Sequence, residues 1–343
     1  MRLRFFAFCF IISLLFGFKS FENGTLIFPD YFPKPKYNFE NNPLDSNKVK
    51  LGRLLFYDGI LSLDNSLSCS TCHSPFNAFA HNDHKLSHGI GDSIGTRNAP
   101  ALFNLAWQTS FMWDGAINHL DMQALAPISS SIEMGSDIKD VVQKLQADQF
   151  YKKKFYEAYQ DSIVTGENVL KALSQFQLTL ISANSKYDQV KRGENEYTAQ
   201  ELKGYKLFQK NCNSCHQEPL FSTYGFEKNF IEMDSLLNDF GKGVVTQVSE
   251  DSLYFKIPSL RNLKYSYPYM HDGRYYTLYK VLNHYNSEEI QQKFKENGLK
   301  KIDLSSNAQV DLIAFLLTLN DKEFVFNKDY RFPRELLNKW KEK

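Results

Sequence analysis

Cys69-Ser-Thr-Cys72-His73 and Cys212-Asn-Ser-Cys215-His216 decide how this 343-residue chain is read. Both are C-x-x-C-H, the attachment signature of a c-type haem. Two thiols one helical turn apart can add to the two vinyl groups of the macrocycle, and the adjacent imidazole can reach the iron from one side. The fifth cysteine, Cys9, stands apart near the N-terminus. Two local disulfides or one zinc site are the other uses open to four such cysteines, and zinc would leave both following histidines unexplained.

Working outward, Gly52-Arg-Leu-Leu-Phe56 and Gly204-Tyr-Lys-Leu-Phe208 share G-x-x-L-F, and each precedes a cysteine pair. This internal repeat predicts two similar domains. Apolar residues at three- and four-residue spacing predict helices over Asp137–Phe150, Gly166–Ser182, Thr198–Lys210, Thr277–Tyr285 and Ser306–Leu319. Thr198 with Glu201, and Ser306 with Gln309, have capping-box spacing. Val310, Ile313, Ala314 and Leu317 form one apolar stripe that reads as core. Strand signals are sparse, the clearest at Gly243–Val248, and Ser87–Asn98 reads as an ordered loop. The fold class is therefore mainly α, with long connecting loops.

The organisation that follows is a signal peptide over residues 1–20, an extended arm over 21–46, a first haem domain over 47–188 and a second over 189–343. The leader rests on Arg2 and Arg4 followed by an apolar run from Phe5 to Phe18, too short for a typical membrane span. It implies export to the periplasm; no small-residue cleavage site follows, so an uncleaved N-terminal anchor is the alternative. A formal charge of +1 supplies no basic surface for nucleic acid.

Longer motifs surround the cysteine pairs. They are Leu51-Gly-Arg-Leu-Leu-Phe-Tyr-Asp58, Arg97-Asn-Ala-Pro-Ala-Leu102, Phe111-Met-Trp-Asp-Gly115, Gln123-Ala124, Ile132-Glu-Met-Gly135, Phe255-Lys-Ile-Pro-Ser-Leu-Arg-Asn262 and Tyr267-Pro-Tyr-Met-His-Asp-Gly273. In wording, order and spacing the mature chain resembles the bacterial di-haem cytochrome c peroxidase family, MauG-like enzymes included. The resemblance implies two cytochrome c-like domains carrying two covalent haems, through Cys69, Cys72, Cys212 and Cys215. It makes His73 and His216 the proximal iron ligands and the first haem the peroxide site, with Trp113, Gln123 and Glu133 between or beside the haems. A carboxylate there can move a peroxide proton from one oxygen to the other, Gln123 can position peroxide or water, and Trp113 offers a π-system for electron hopping.

Two departures from many relatives stand out. Counting fourteen residues from His271 reaches Tyr285 where those relatives place Met, and MauG-like enzymes have Tyr. A phenolic oxygen favours oxidised iron where a thioether favours the ferrous state; Met270 is a rival ligand. The position of a distal histidine at the first haem is Ile90, with His81, His84 and His88 on the same loop as substitutes. An open first haem is the reading favoured here. The resemblance further places His271 near the second haem and the domain interface, and implies one calcium ion held through Asn98, Ser266 and Pro268.

The activity implied is reduction of hydrogen peroxide to water, with electrons from a small redox protein, a mono-haem cytochrome c or a cupredoxin, entering through the C-terminal haem. One alternative is a MauG-like enzyme that oxidises aromatic residues of a partner protein; another is a non-catalytic di-haem electron-transfer cytochrome. A homodimer is compatible with the same resemblance.

Overall fold

The computed structural model describes residues 20–22 and 24–341, so residues 1–19 of the expected leader lie outside it. Among the described residues, no helix is long and apolar enough to cross a membrane. Among the described residues, eight helices of nine or more residues make up most of the regular structure: α1 (Ser46–Tyr57), α2 (Ile138–Ala147), α3 (Gln149–Tyr159), α4 (Gly166–Leu178), α5 (Ala199–Asn211), α6 (Leu278–Asn286), α7 (Glu288–Glu296) and α8 (Ser306–Leu317). Strand is confined to two antiparallel pairs, β1 (Phe21–Glu22) with β2 (Thr25–Leu26) and β3 (Phe226–Lys228) with β4 (Tyr254–Lys256).

The repeated glycines explain how each half is built. α1 crosses α4 so closely that a methyl group added at Gly52 would sit 1.8 Å from the Ala172 carbonyl oxygen. α5 crosses α8 the same way, with Gly204 facing the Asp311 carbonyl oxygen at 1.9 Å. Each crossing carries an aromatic core. Phe56 packs edge-on to Phe79 and Phe176 in the first; Phe208 packs on Phe221 and Phe315 in the second.

Helix starts follow side-chain capping. Thr198 accepts from the Glu201 amide while Glu201 reaches back to the Thr198 amide, which is the predicted box. At α8 the cap is Ser305, accepting from Ala308, one residue ahead of the expected Ser306. The predicted stripe on α8 is also displaced: Val310 and Leu317 are 54% and 43% exposed, whereas Gln309, Leu312, Phe315 and Leu316 are buried. The helix is apolar on more than one face, and the fit of Phe315 against Phe208 and Tyr205 selects its rotation. The span 137–150 divides at Asp148, which caps α3 through the Phe150 amide.

Gly243–Val248 is not a strand. It lies mostly within a short helix, Lys242–Thr246, bounded by Gly241 and Gln247 at positive φ; the β-branched run has no strand partner, and β4 pairs instead with β3. The arm over 21–46 is more than a surface strap, because Leu26, Phe32 and Leu44 enter the first core. The polar stretch 185–195 contains a helix, Lys186–Lys191, whose Tyr187 and Asp188 are buried.

Asp188 meets Arg261 through two hydrogen bonds of 2.8 Å, both side chains being fully buried. Burial alone would raise the Asp188 carboxyl; Arg261 outweighs it and holds the group below the usual carboxylate range. The chain beyond α8 returns to the first core, where Phe324, Val325, Tyr330 and Leu336 are buried. The Lys339 ammonium lies 2.6 Å from Asp58 and 4.2 Å from the centre of the Tyr151 ring. Residues assigned by sequence to the second unit thus complete the first.

Gly204→Ala is predicted to destabilise the haem-loaded protein by about 2 kcal/mol or more, since overpacking a close crossing outweighs alanine's advantage of about 1 kcal/mol in helix propensity. Urea unfolding followed by circular dichroism measures it, and an unchanged midpoint would remove the crossing as the reason for the repeat.

Candidate functional site

Cys69–Cys72 forms a single helical turn. No disulfide joins the four described cysteines. Burial pushes the Cys69 and Cys72 thiols up to about 12 and about 11, and Cys212 up to about 12.

Both following histidines are prepared in the same manner. His73 Nδ1 lies 2.8 Å from the Phe79 carbonyl oxygen; His216 Nδ1 lies 3.1 Å from the Pro258 carbonyl and 3.3 Å from that of Phe221. Phe79 and Phe221 hold φ values of 59° and 55°, a left-handed geometry that a bulky residue adopts only where its surroundings impose it. A carbonyl facing Nδ1 fixes the tautomer and leaves Nε2 as the ligating atom, the orienting device of metal-bound histidines. Burial pushes both imidazoles down to about 4, which favours the neutral form. Paired thiols beside a half-buried imidazole whose Nδ1 is held by a carbonyl fit a c-type haem in each half.

Glu133 stands beside the first pair. Its loop is closed by Glu133 N–H to Ser130 and Gly135 N–H to Ser130, and is tied to the opposite loop by the Ile90 amide, which donates to the Glu133 carbonyl at 2.7 Å. Burial raises the Glu133 carboxyl, with Ser130 partly opposing. Its charge reaches the Cys72 thiol, second only to burial as the cause of that thiol's upward shift. Gln123 turns its amide to the Met112 sulfur at 3.6 Å.

Trp113 sits where the two halves meet. Its indole donates to the Asn98 carbonyl at 2.8 Å, while its own carbonyl accepts from the Lys256 amide at 2.7 Å. The Asn98 amide donates in turn to the His271 carbonyl at 2.7 Å. Arg97 clasps Asp239 across the junction at 2.6 and 2.8 Å and Asp114 at 2.6 Å. His271 is buried and stacked on Phe255, ring centres 3.7 Å apart, with Nδ1 unpartnered.

Tyr285, on α6, is half-buried against the second thiol pair. Burial, then Cys215, Cys212 and Tyr275, raise its phenol. Met270 lies at positive φ in the turn that Gly273 closes. Of the residues expected for calcium, Asn98 donates its amide nitrogen to the Lys85 carbonyl at 3.1 Å, which leaves Oδ1 as the side chain's acceptor. Ser266 bonds back to the Asn262 carbonyl, and Pro268 is buried nearby in the chain.

Lys256 is a residue that sequence reasoning missed. Its ammonium is buried at the junction, donating to Gln108 Oε1 at 2.9 Å and the Ser110 carbonyl at 3.0 Å, and burial pushes it down to about 7 against the pull of Asp114. The available signal was a lysine inside the apolar run Tyr254-Phe-Lys-Ile257.

Comparison with known proteins places these features in one family. Residues 46–196 match the family model described as di-haem cytochrome c peroxidase, and residues 202–320 match cytochrome c. A methylamine utilization protein MauG of Methylophilus methylotrophus is 34% identical over 305 residues, covering 85% of this chain and 87% of that protein. Cytochrome c peroxidase Ccp of Escherichia coli K12 is 36% identical over 289 residues, covering 81% of this chain and 59% of that longer protein. A crystal structure of a MauG-like protein associated with microbial copper homeostasis superposes with a TM-score of 0.80 at 28% identity, covering 89% of this chain and 98% of that one. The chain therefore belongs to the di-haem cytochrome c peroxidase and MauG family, whose two cytochrome c-type domains imply two c-type haems.

Proposed function

We propose that this protein is a periplasmic di-haem peroxidase that reduces hydrogen peroxide to water, drawing electrons from a small mono-haem cytochrome or cupredoxin through the C-terminal haem. The observation that carries it is a single carboxyl, Glu133, half-buried beside the first thiol pair and raised by that burial. Cys69, Cys72 and His73 would hold one haem; Cys212, Cys215 and His216 would hold the other, with the Tyr285 phenol as a further oxygen donor to it. The haems supply iron for O–O cleavage and for electron storage.

The protein's own residues manage protons and geometry. Glu133 accepts a proton from the inner oxygen of peroxide and returns it to the outer one, so that water leaves. Gln123 orients the substrate. Trp113 couples the halves, because its indole is held by Asn98 and its carbonyl by Lys256. Ile90, on the loop joined to Glu133, offers no ligand atom to a haem held there. Asn98, Ser266 and Pro268 would hold calcium at the same junction, and the proposed division runs 47–188 and 189–343, with the end of the second segment packed on the first core. Periplasmic placement rests on the N-terminal leader motif.

A second reading is favoured by one observation, the half-buried Tyr285 at the second thiol pair. A hard oxygen ligand there favours the oxidised state of iron, which suits a MauG-like oxidation of aromatic side chains on a partner protein.

Glu133→Gln is predicted to lower kcat/KM for peroxide by at least about 100-fold, the usual size of a general acid–base contribution, without altering haem content. The working form of Glu133 is the carboxylate, so wild-type activity falls as pH drops through its raised pKa, and this acid limb lies above that of an ordinary glutamate. Steady-state rates across pH check both; an unchanged acid limb in the variant removes Glu133 from the role. Trp113→Phe is expected to slow oxidation of the second haem at least tenfold in rapid-mixing spectra while leaving peroxide consumption at the first haem intact.

A further inference from the structure

The reaction above uses the backbone of Lys256 and leaves its ammonium without a task. Lys256 stands opposite Phe226 in the β3–β4 pair, and both residues press on the turn that carries Trp113. The Lys256 amide donates to the Trp113 carbonyl at 2.7 Å. A methyl group added at Gly115 would lie 2.4 Å from the Phe226 ring. The ammonium grips the start of the same turn, donating to Gln108 Oε1 at 2.9 Å and the Ser110 carbonyl at 3.0 Å. The centre of the Phe111 ring lies 5.7 Å from it.

Both of those acceptors are neutral. An uncharged amine has two N–H groups and can serve them as well as an ammonium can, so these hydrogen bonds do not require the extra proton. Asp114 attracts the ammonium, but its carboxylate is already engaged by Arg97 at 2.6 Å, and Arg97 also clasps Asp239. On the strand side, Lys242 lies over the Phe226 ring and is paired with Asp251 at 2.9 Å, while Lys228 lies over the Tyr254 ring. His271 stacks on Phe255, and burial lowers its imidazole. Burial pushes the Lys256 amine down to about 7, so both of its forms are present at neutral pH.

We propose that the Lys256 ammonium is an electrostatic gate on electron transfer through Trp113, raising the energy of a hole on the indole while its proton is in place and letting the hole pass once the proton has left. This inference rests on the reading of Trp113 as the electron bridge. In that transfer the indole gives one electron toward the first haem and regains one from the second, so it passes through a state carrying one positive charge. Two unit charges act on each other across about 10 Å of protein without contact. Lys256 is thus a positioning residue, acting on Trp113 and not on peroxide.

The test follows oxidation of the second haem in rapid-mixing spectra of the haem-loaded protein with hydrogen peroxide, between about pH 6 and about pH 8. The wild-type rate is expected to rise at least about threefold over that range, centred on the lowered amine value of about 7. Lys256→Met, which carries no charge, should hold the high-pH rate throughout, and Lys256→Arg, which keeps its charge, the low-pH rate. The change at the first haem should be the same in all three proteins. A flat wild-type profile would overturn the proposal even where a variant fails to load haem, as would a Lys256→Met profile that still rises with pH. Spectra unmoved by peroxide, or a Trp113→Phe protein that oxidises its second haem at the wild-type rate, would remove the underlying reading and this inference together. A slowed Trp113→Phe protein beside an unaltered Lys256→Met profile would remove this inference alone.

Discussion

The ion pair between Arg261 and Asp188 is the interaction on which the arrangement of the rest depends. Besides Asp188, the guanidinium donates to the Pro219 carbonyl, three residues after the second haem's histidine, and it stands over the rings of Phe32, Tyr187 and Phe221. Asp188 also accepts from Tyr31 of the arm at 2.8 Å. One buried contact therefore holds the N-terminal arm, the connection between the halves and the turn that carries the Phe221 carbonyl toward His216. Losing one partner of such a pair typically costs about 3–5 kcal/mol, because the other charge is left buried. Its neighbour Asn262 extends the seam, donating to Ser182 at 2.9 Å and accepting from the Asp321 amide at 2.8 Å.

The chemistry was more legible in the sequence than the packing. Paired C-x-x-C-H motifs and the glycine of G-x-x-L-F are dictated by covalent reach and by steric exclusion, which act over a few residues; the close crossings at Gly52 and Gly204 give the repeat its physical cause. The rotation of α8 was not legible, because a helix apolar on two faces is oriented by whatever packs on it, here Phe208 and Tyr205 from α5. The strand expected at Gly243–Val248 failed for a related reason: β-propensity needs a partner edge, and β3 pairs with Tyr254–Lys256 instead. Docking of residues 324–336 into the first core is a long-range event with no local signature.

At the candidate site the sequence supplied residue types, and the fold supplied their electrostatic states. Burial drives the imidazoles of His73 and His216 toward the neutral form against the carbonyls of Phe79 and Phe221, which orient the rings while favouring the protonated state. Lys256 has no motif of its own, because only the meeting of β4 with the Phe111–Gly115 segment sets its ammonium against Gln108, Ser110 and the Phe111 ring. The same junction gathers Trp113, Asn98, Arg97 and His271, all from motifs far apart in the chain.

The central claim is that the first distal pocket is formed by Ile90 and Glu133, whose loops are joined by a backbone hydrogen bond of 2.7 Å, and so needs no reduction of the partner haem to admit peroxide. Stopped-flow absorption of the fully oxidised, haem-loaded protein mixed with hydrogen peroxide tests it most directly. The account predicts rapid change at the first haem in the oxidised protein, at a rate not increased by prior half-reduction. Reaction of the half-reduced form alone would contradict it.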